Sequence, residues 1–419
     1  MDDRPASRID AAPARKSISL YGVLAETVVV QALGTMSVLI IPALAPAVAA
    51  TLGVSSVFIG YQITVIYLAA MGASLIAGAL VARHGGCRIG QLAMLMDVIG
   101  CLLASVPNLF SMLVGSIIIG ASYGMIIPSS SELLIRHAPP HRRSLIFSIK
   151  QAGVPVGGMA VGIIGPLIAV RFGWSAALWS VAAACLMVML YSQRGRRELD
   201  RPEERQWVPM VMPWASLRLV FGNPPLRWLA FATFCFSAVQ LSVVAFLVAM
   251  LVEEKGVSLA TAGLVLAGVQ LCGAFGRVLW GWVADATGRG LSVLVGLALA
   301  MVAASLLVAV AGDALPLAVL VGLFLLLGLT ANSWNGVYLS EVARLSPAQA
   351  VGTITGAAMF FTFTGVVVGP SLFSQFHTLF GSYQGTYVVI AAFAAVATVL
   401  LMLVQRLVAA RLARGKRVG

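Results

Sequence analysis

GALVARHGG, residues 78–86, and GWVADATGR, residues 281–289, decide the architecture of this 419-residue chain. They align without a gap at an offset of 203 (281 − 78), pairing Gly78 with Gly281 and Gly85 with Gly288. Gly165-Pro166 and Gly369-Pro370 stand 204 apart (369 − 165), and Ser131-Glu132 and Ser340-Glu341 stand 209 apart (340 − 131). Three landmarks at nearly one offset mark the chain as two copies of a single unit.

The material around these landmarks is lipid-soluble. Hydrophobic residues make up 60% of the chain and charged residues 10%, with a mean hydropathy of +0.98. A soluble domain lies nearer half apolar and a quarter charged, because a globule needs a polar shell. A spanning helix takes about 20 mainly apolar residues. The pattern predicts twelve of them, over residues 22–48, 56–82, 90–107, 109–134, 144–170, 174–193, 227–252, 260–284, 291–311, 315–338, 350–376 and 383–407. The fold class is therefore an all-α membrane protein of two six-helix pseudo-symmetric bundles, 22–193 and 227–407, with tails at 1–21 and 408–419. Parallel repeats of this kind place a solute site between the halves, near mid-membrane.

The net charge of +12 would point to nucleic acid in a soluble protein, but its placement argues otherwise. The 27 Lys and Arg cluster in the first tail (Arg4, Arg8, Arg15, Lys16), in alternate short loops, from Arg194 to Arg227, and from Arg406 to Arg417; only Arg171 and Lys255 fall in the other set of loops. This asymmetry places both termini and the middle segment in the cytoplasm, as in a bacterial-type inner membrane. The connecting segment 194–226 opens with solvated charge; its second part, residues 207–221, reads either as a short interfacial amphipathic helix or as a disordered linker. The first 20 residues are polar and lack the apolar stretch of a cleaved signal peptide. Five scattered cysteines show no metal or redox spacing.

At residues 281–289 the chain resembles the major facilitator superfamily, and the likeness extends over nearly its whole length, with an organic-anion or monocarboxylate-porter character. The signature Gly-x-x-x-Asp-x-x-Gly-Arg stands intact as Gly281, Asp285, Gly288 and Arg289. In the first half its Asp position is Ala82 and its Arg position Gly86, with Arg83 and Arg88 nearby. The resemblance implies that this Asp and Arg latch the halves together, with Arg83 as a first-half counterpart. The Arg of the fourth helix's Arg-x-x-x-Gly motif is absent, since Ser116 precedes Gly120. Helix 5 carries Gly153, Pro155, Gly157, Gly158, Gly162 and Gly165-Pro166, a partial match to the glycine-proline motif of drug antiporters; close helix packing is the better explanation of such glycines.

A charge deep in a bilayer is costly unless it is paired or faces water. Lys150 lies seven residues past Arg143 and Arg277 eight before Asp285, about 10 and 12 Å along their helices. In the superfamily helices 5 and 8 pack beside each other, so both cations are expected to face one cavity and hold an anion, Arg277 as a fork and Lys150 as a point charge. The alternative is snorkelling to the interface. The Gly276-Arg277 step resembles the helix-8 arginine of monocarboxylate and oxalate-type porters. Gln270, Asn332, Trp334 and Asn335 are expected to complete the site, with Gln31, Tyr123 and Gln240 as further candidates. Glu26 and Asp97 are candidates for a coupled proton. Interhelical hydrogen bonding is the competing explanation for each polar residue alone.

Taken together, the residues predict a secondary transporter for a small organic anion, by proton symport or anion exchange, working as a monomer without cofactor or metal. The alternative is a drug or metabolite efflux antiporter of the same superfamily. No phosphate-binding loop, nucleophile elbow or His-Glu-x-x-His is present, so no catalytic residue is assigned and no nucleic-acid partner is expected.

Overall fold

Prolines divide two of the expected spans in this computed structural model, which describes residues 19–54, 56–200, 213–312 and 314–415. Pro46 has no N–H to return to Pro42, and its ring crowds that turn. The first span therefore stops at Leu44, and α1 (Leu20–Ala43) is followed by the short α2 (Ala45–Leu52). Then come α3 (Ser56–His84), α4 (Gly86–Ala104) and α5 (Leu109–His137). The fifth span is two helices, α6 (Arg143–Gln151) and α7 (Gly153–Phe172), because Pro155 cannot bond to the Gln151 carbonyl. α8 (Trp174–Ser192) closes the first unit.

α9 (Arg196–Asp200) and α10 (Pro213–Gly222) occupy the connecting segment. The second unit is α11 (Pro224–Glu253), α12 (Leu259–Thr287), α13 (Gly290–Ala311), α14 (Leu317–Ala331), α15 (Asn335–Leu345), α16 (Val351–Phe380) and α17 (Tyr383–Gly415). Its fourth span is broken at residues 332–334, between α14 and α15. Twelve helices or broken helices are long and apolar enough to cross a membrane, and no strand occurs among the described residues.

Two sequence expectations change at their edges. α17 continues past residue 407 to Gly415, carrying the exposed Arg406 and Arg411 on its last turns. The amphipathic segment is helical over α10, while its residues 207–212 and the basic tail residues Arg4, Arg8, Arg15 and Lys16 lie outside the described residues. α10 turns the buried Leu217 and Val220 inward and leaves Leu219 and Phe221 exposed. It packs on α3 of the first half and on α11 and α16 of the second, and Ser216 Oγ donates to the Leu75 carbonyl at 3.1 Å.

Twelve spans bring the first and last described residues to one side of the bundle, called here the terminus side. The halves meet there through the glycines of the repeated stretches. A Cβ at Gly281 would lie 2.8 Å from the Ser144 carbonyl oxygen, and one at Gly78 would lie 2.9 Å from that of Gly352. The repeat thus makes the same backbone-to-backbone approach twice, α12 on α6 and α3 on α16. Without hydrophobic drive between helices in lipid, such close approach supplies the attraction. The Ser-Glu landmarks also recur in space. Glu132 pairs with Arg136 and Glu341 with Arg344, each on its own helix's last turn. Glu132 lies against Gly86 at the start of α4, and Glu341 against Gly290 at the start of α13.

The fifth-span glycines divide by environment. A Cβ at Gly153 would lie 2.6 Å from the Val28 carbonyl oxygen, and Gly157 likewise abuts Ala32, so these two seat α7 on α1. A Cβ at Gly162 would meet nothing within 4 Å.

Candidate functional site

Gly273 and Gly276 let α12 approach α14: added Cβ atoms would lie 2.6 Å from Asn332 Cβ and 2.8 Å from the Leu329 carbonyl oxygen. That approach delivers Arg277 to the breaks in two spans. Its Nε donates to the Asn332 carbonyl at 2.8 Å and its Nη1 to the Gln151 carbonyl at 2.5 Å. Both acceptors exist because the helices are broken. Pro155 cannot claim the Gln151 carbonyl, and Asn332 sits where α14 ends. One guanidinium therefore joins the interrupted fifth span of the first half to the interrupted tenth span of the second. It is 4% exposed, and its remaining terminal nitrogen has no partner among the described residues.

Arg277 lines a cavity of about 100 Å³ between the halves. Beside it, Trp334 Nε1, Asn335 Oδ1 and the Tyr338 hydroxyl are buried without hydrogen-bond partners, and all three residues line the same space. Gln240, Ser237 and Thr362 add amide and hydroxyl groups. The opposite wall is aromatic: Tyr67, Tyr123 and Phe363 stand with ring centroids 5.9 to 6.2 Å apart. Trp334 is fixed by stacking on Phe236 at 5.2 Å. Buried polar groups are normally satisfied, so several unpartnered ones around a single space leave donors and acceptors that a polar ligand could satisfy.

Lys150 is placed differently from the expectation that both cations face the cavity. It is 1% exposed, and its Nζ donates to Gln31 Oε1 at 2.6 Å and Gln151 Oε1 at 3.0 Å. Gln151 lines the cavity and Lys150 does not, so the ammonium stands one side chain behind the wall. Its acceptors are neutral amides, and its charge is not cancelled there. Gln31 keeps its own Nε2 unpartnered. Asn332 contributes its backbone carbonyl to Arg277, while its side-chain amide donates to Gln270 Oε1 at 2.8 Å; neither residue lines the cavity. Gln151, Ser237 and Thr362 were not among the sequence candidates.

The proposed proton carriers lie away from this space. Glu26 is half-buried on the terminus side, beside Ser192 and Asp200. Asp97 is fully enclosed within the first half.

The latch residues form a different bond from the charge pair that the resemblance implies. Asp285 Oδ1 accepts from the Ser144 N–H at 3.0 Å and Oδ2 from the Leu145 N–H at 2.7 Å. It caps α6 across the seam, where a helix start offers free N–H groups and the positive end of the dipole. Ser144 Oγ adds a bond to Ser340 Oγ at 3.0 Å. Gly288 holds φ at +64°, a conformation that favours glycine. Arg289 and Arg83 are exposed, with no side-chain partner among the described residues. In the first half, where Ala82 replaces the acid, Asp200 of the connecting segment caps α4, accepting from Cys87 N and Arg88 N at 2.8 and 2.9 Å. Among the described residues, the polar bonds joining the halves lie at mid-depth or on the terminus side.

Comparison with known proteins agrees with this architecture. The sequence profile of the Major Facilitator Superfamily matches residues 27–370 and again residues 242–417. A hexuronate transporter of Bacillus subtilis (strain 168) is 22% identical over 306 residues, spanning 69% of this chain and 72% of that protein. FucP, a transporter crystallised in the outward conformation, superposes with a TM-score of 0.77 at 18% identity, over 92% of this chain and 99% of that one. A human organic anion transporter (TETRAN) superposes at 0.72 with 16% identity, over 92% and 100% of the two chains.

Proposed function

The chain belongs to the Major Facilitator Superfamily, and from that membership we propose that this membrane transporter, which is no enzyme, carries a small hydroxylated carboxylate by alternating access. The observation that carries the reading is the partly unpaired Arg277 on a cavity rimmed by the unpartnered Trp334 Nε1, Asn335 Oδ1 and Tyr338 hydroxyl. Arg277 supplies the fork that a carboxylate fits. The indole donates to a hydroxyl, the amide oxygen accepts from one, and the phenol does either. No acid lines the cavity to compete for the cation. At an effective dielectric near 20, opposite charges about 4 Å apart attract by about 4 kcal/mol. The likeness to a hexuronate transporter accords with a sugar acid.

The cavity, at about 100 Å³, is below the roughly 300 Å³ at which small-molecule pockets begin. Loading therefore requires the halves to part, and unloading requires the terminus-side seam at Asp285 to release. Coupling is by proton symport or anion exchange. The placement of Lys and Arg supports a terminus side that faces the cytoplasm, in a bacterial-type inner membrane.

Glucuronate and glucose make the decisive pair, since they differ in a carboxylate against a hydroxymethyl group. Glucuronate at a hundred times its Kd is expected to stabilise the purified protein by about 2.7 kcal/mol, read as a rise in melting temperature, and glucose at equal concentration to leave it unchanged. Equal shifts, or none with any sugar acid, would refute the reading. Lys150→Gln is expected to raise KM for glucuronate about 3- to 10-fold, the effect of a charge acting through Gln151 at roughly 1 kcal/mol. A loss of 30-fold or more, about 2 kcal/mol, would mean that Lys150 touches the solute directly.

A further inference from the structure

Asp97 is the acid for which the cavity has no use. It is 0% exposed on α4, and neither carboxyl oxygen has a hydrogen-bond partner. The reason lies in its neighbours. Ser37 of α1 and Ser122 of α5 stand beside it, but Ser37 Oγ donates to the Leu33 carbonyl at 3.1 Å and Ser122 Oγ to the Ala93 carbonyl at 2.8 Å. Both hydroxyl protons are committed to helix backbone, and only their lone pairs remain for Asp97. A carboxylate needs donors and finds none. A neutral carboxylic acid needs only an acceptor for its proton, and the nearby hydroxyl oxygens of Ser37 and Ser122 still hold lone pairs.

The charges around it point the same way. α8 brings Cys185, which lies 4.0 Å from Ser37 Oγ. α4 itself adds Cys101, and α5 adds Tyr123. No cation among the described residues compensates Asp97. α3, also packed on α4, carries Arg83 and His84 at its terminus-side end, and Asp200 of α9 caps the start of α4. That start lies eleven residues before Asp97 (97 − 86), or about 16 Å along the helix. An isolated ionised carboxylate in such surroundings costs several kcal/mol. Though Asp97 is off the cavity, α5 connects the two places: Ser122, beside Asp97, precedes Tyr123, whose ring lines the cavity.

We propose that Asp97 takes up and releases the proton coupled to solute movement, and that it is the neutral acid in the arrangement seen here. In the release step the carboxyl O–H bond breaks, the proton passes to water, and the electron pair stays on the carboxylate; uptake is the reverse. Release needs water at Asp97, which requires α1 and α5 to shift as the halves move. This assignment rests on the anion-transport reading for its solute and selects proton symport over exchange for its energetics.

The test uses the full chain in lipid vesicles. Infrared spectra of the wild type without solute are expected to show the carbonyl band of a protonated carboxyl that shifts in deuterated water and is missing in Asp97→Asn. With glucuronate as probe, Asp97→Asn is expected to exchange labelled for unlabelled solute within about 2-fold of wild type. It is also expected to lose accumulation driven by a pH gradient, which is worth up to about tenfold per pH unit and coupled proton. Gradient-driven accumulation that persists in Asp97→Asn overturns the proposal, and so does a wild type lacking the Asp97-dependent band. If Asp97→Asn fails to insert, the band in the wild type and its deuterium shift still decide. If glucuronate neither binds nor exchanges in the wild type, the solute reading has failed, while the band recorded without solute still tests whether Asp97 holds a proton.

Discussion

Arg277→Gln is expected to lower kcat/KM for glucuronate by about 30- to 1,000-fold while the protein inserts normally. The range corresponds to about 2–4 kcal/mol, at and somewhat above the usual worth of a hydrogen bond to a charged group. Two losses contribute. The cavity loses its guanidinium, so a bound carboxylate keeps only neutral donors. The breaks at Gln151 and Asn332 lose the cation that ties their carbonyls together at 2.5 and 2.8 Å. Arg277→Lys separates the two, because it preserves the charge but cannot hold two carbonyls and a carboxylate in a planar fork. Its expected outcome is at least a 10-fold loss with a lowered melting temperature. Full activity in Arg277→Lys would reduce Arg277 to a point charge. Unchanged uptake in Arg277→Gln would remove it from the solute site altogether.

Lipid made much of the fold legible from residues alone. A spanning segment must satisfy its backbone internally and present apolar side chains, so twelve apolar runs read as twelve spans, and the repeated glycines read as the two-fold seam. Features that depend on contact between distant helices were harder to read. The isolation of Lys150 from the cavity depends on Gln151 and Gln31, 119 positions apart from Lys150 in the latter case, and no local pattern announces it. Thr362 and Phe363 sit on the eleventh span, among hydroxyl and aromatic residues that no local pattern sets apart. One signal is local: Pro155 stands four residues after Gln151, so the Gln151 carbonyl must find a donor outside its own helix. Lys150 and Arg277, read simply as lone cations in apolar runs, lie within one side chain of the same cavity. The side-chain geometry that separates their roles required the packed structure.

Asp285→Ala is expected to open the terminus side of the seam. The carboxylate makes two bonds to α6, at 3.0 and 2.7 Å, and removing a helix cap costs about 0.5–2 kcal/mol. Because Asp285 is partly exposed, solvent screening keeps the effect within that range. The closed population should therefore fall relative to the open one by about 2- to 30-fold. Spin labels at Arg142→Cys and Ala286→Cys, both exposed positions on facing halves, would report it as a second, longer distance. Cys272→Ser provides the background, since the other four cysteines are buried. The reverse substitution follows from the repeat. Ala82 occupies the position of Asp285, and Gly78 already sets α3 against the start of α16 as Gly281 sets α12 against α6. Ala82→Asp should supply the missing cap, deepen the closed state and slow turnover. An unchanged distance distribution in Asp285→Ala would show that the seam is held without the cap, by glycine packing and the Ser144–Ser340 bond, and Ala82→Asp would then have no closed state to deepen through its charge.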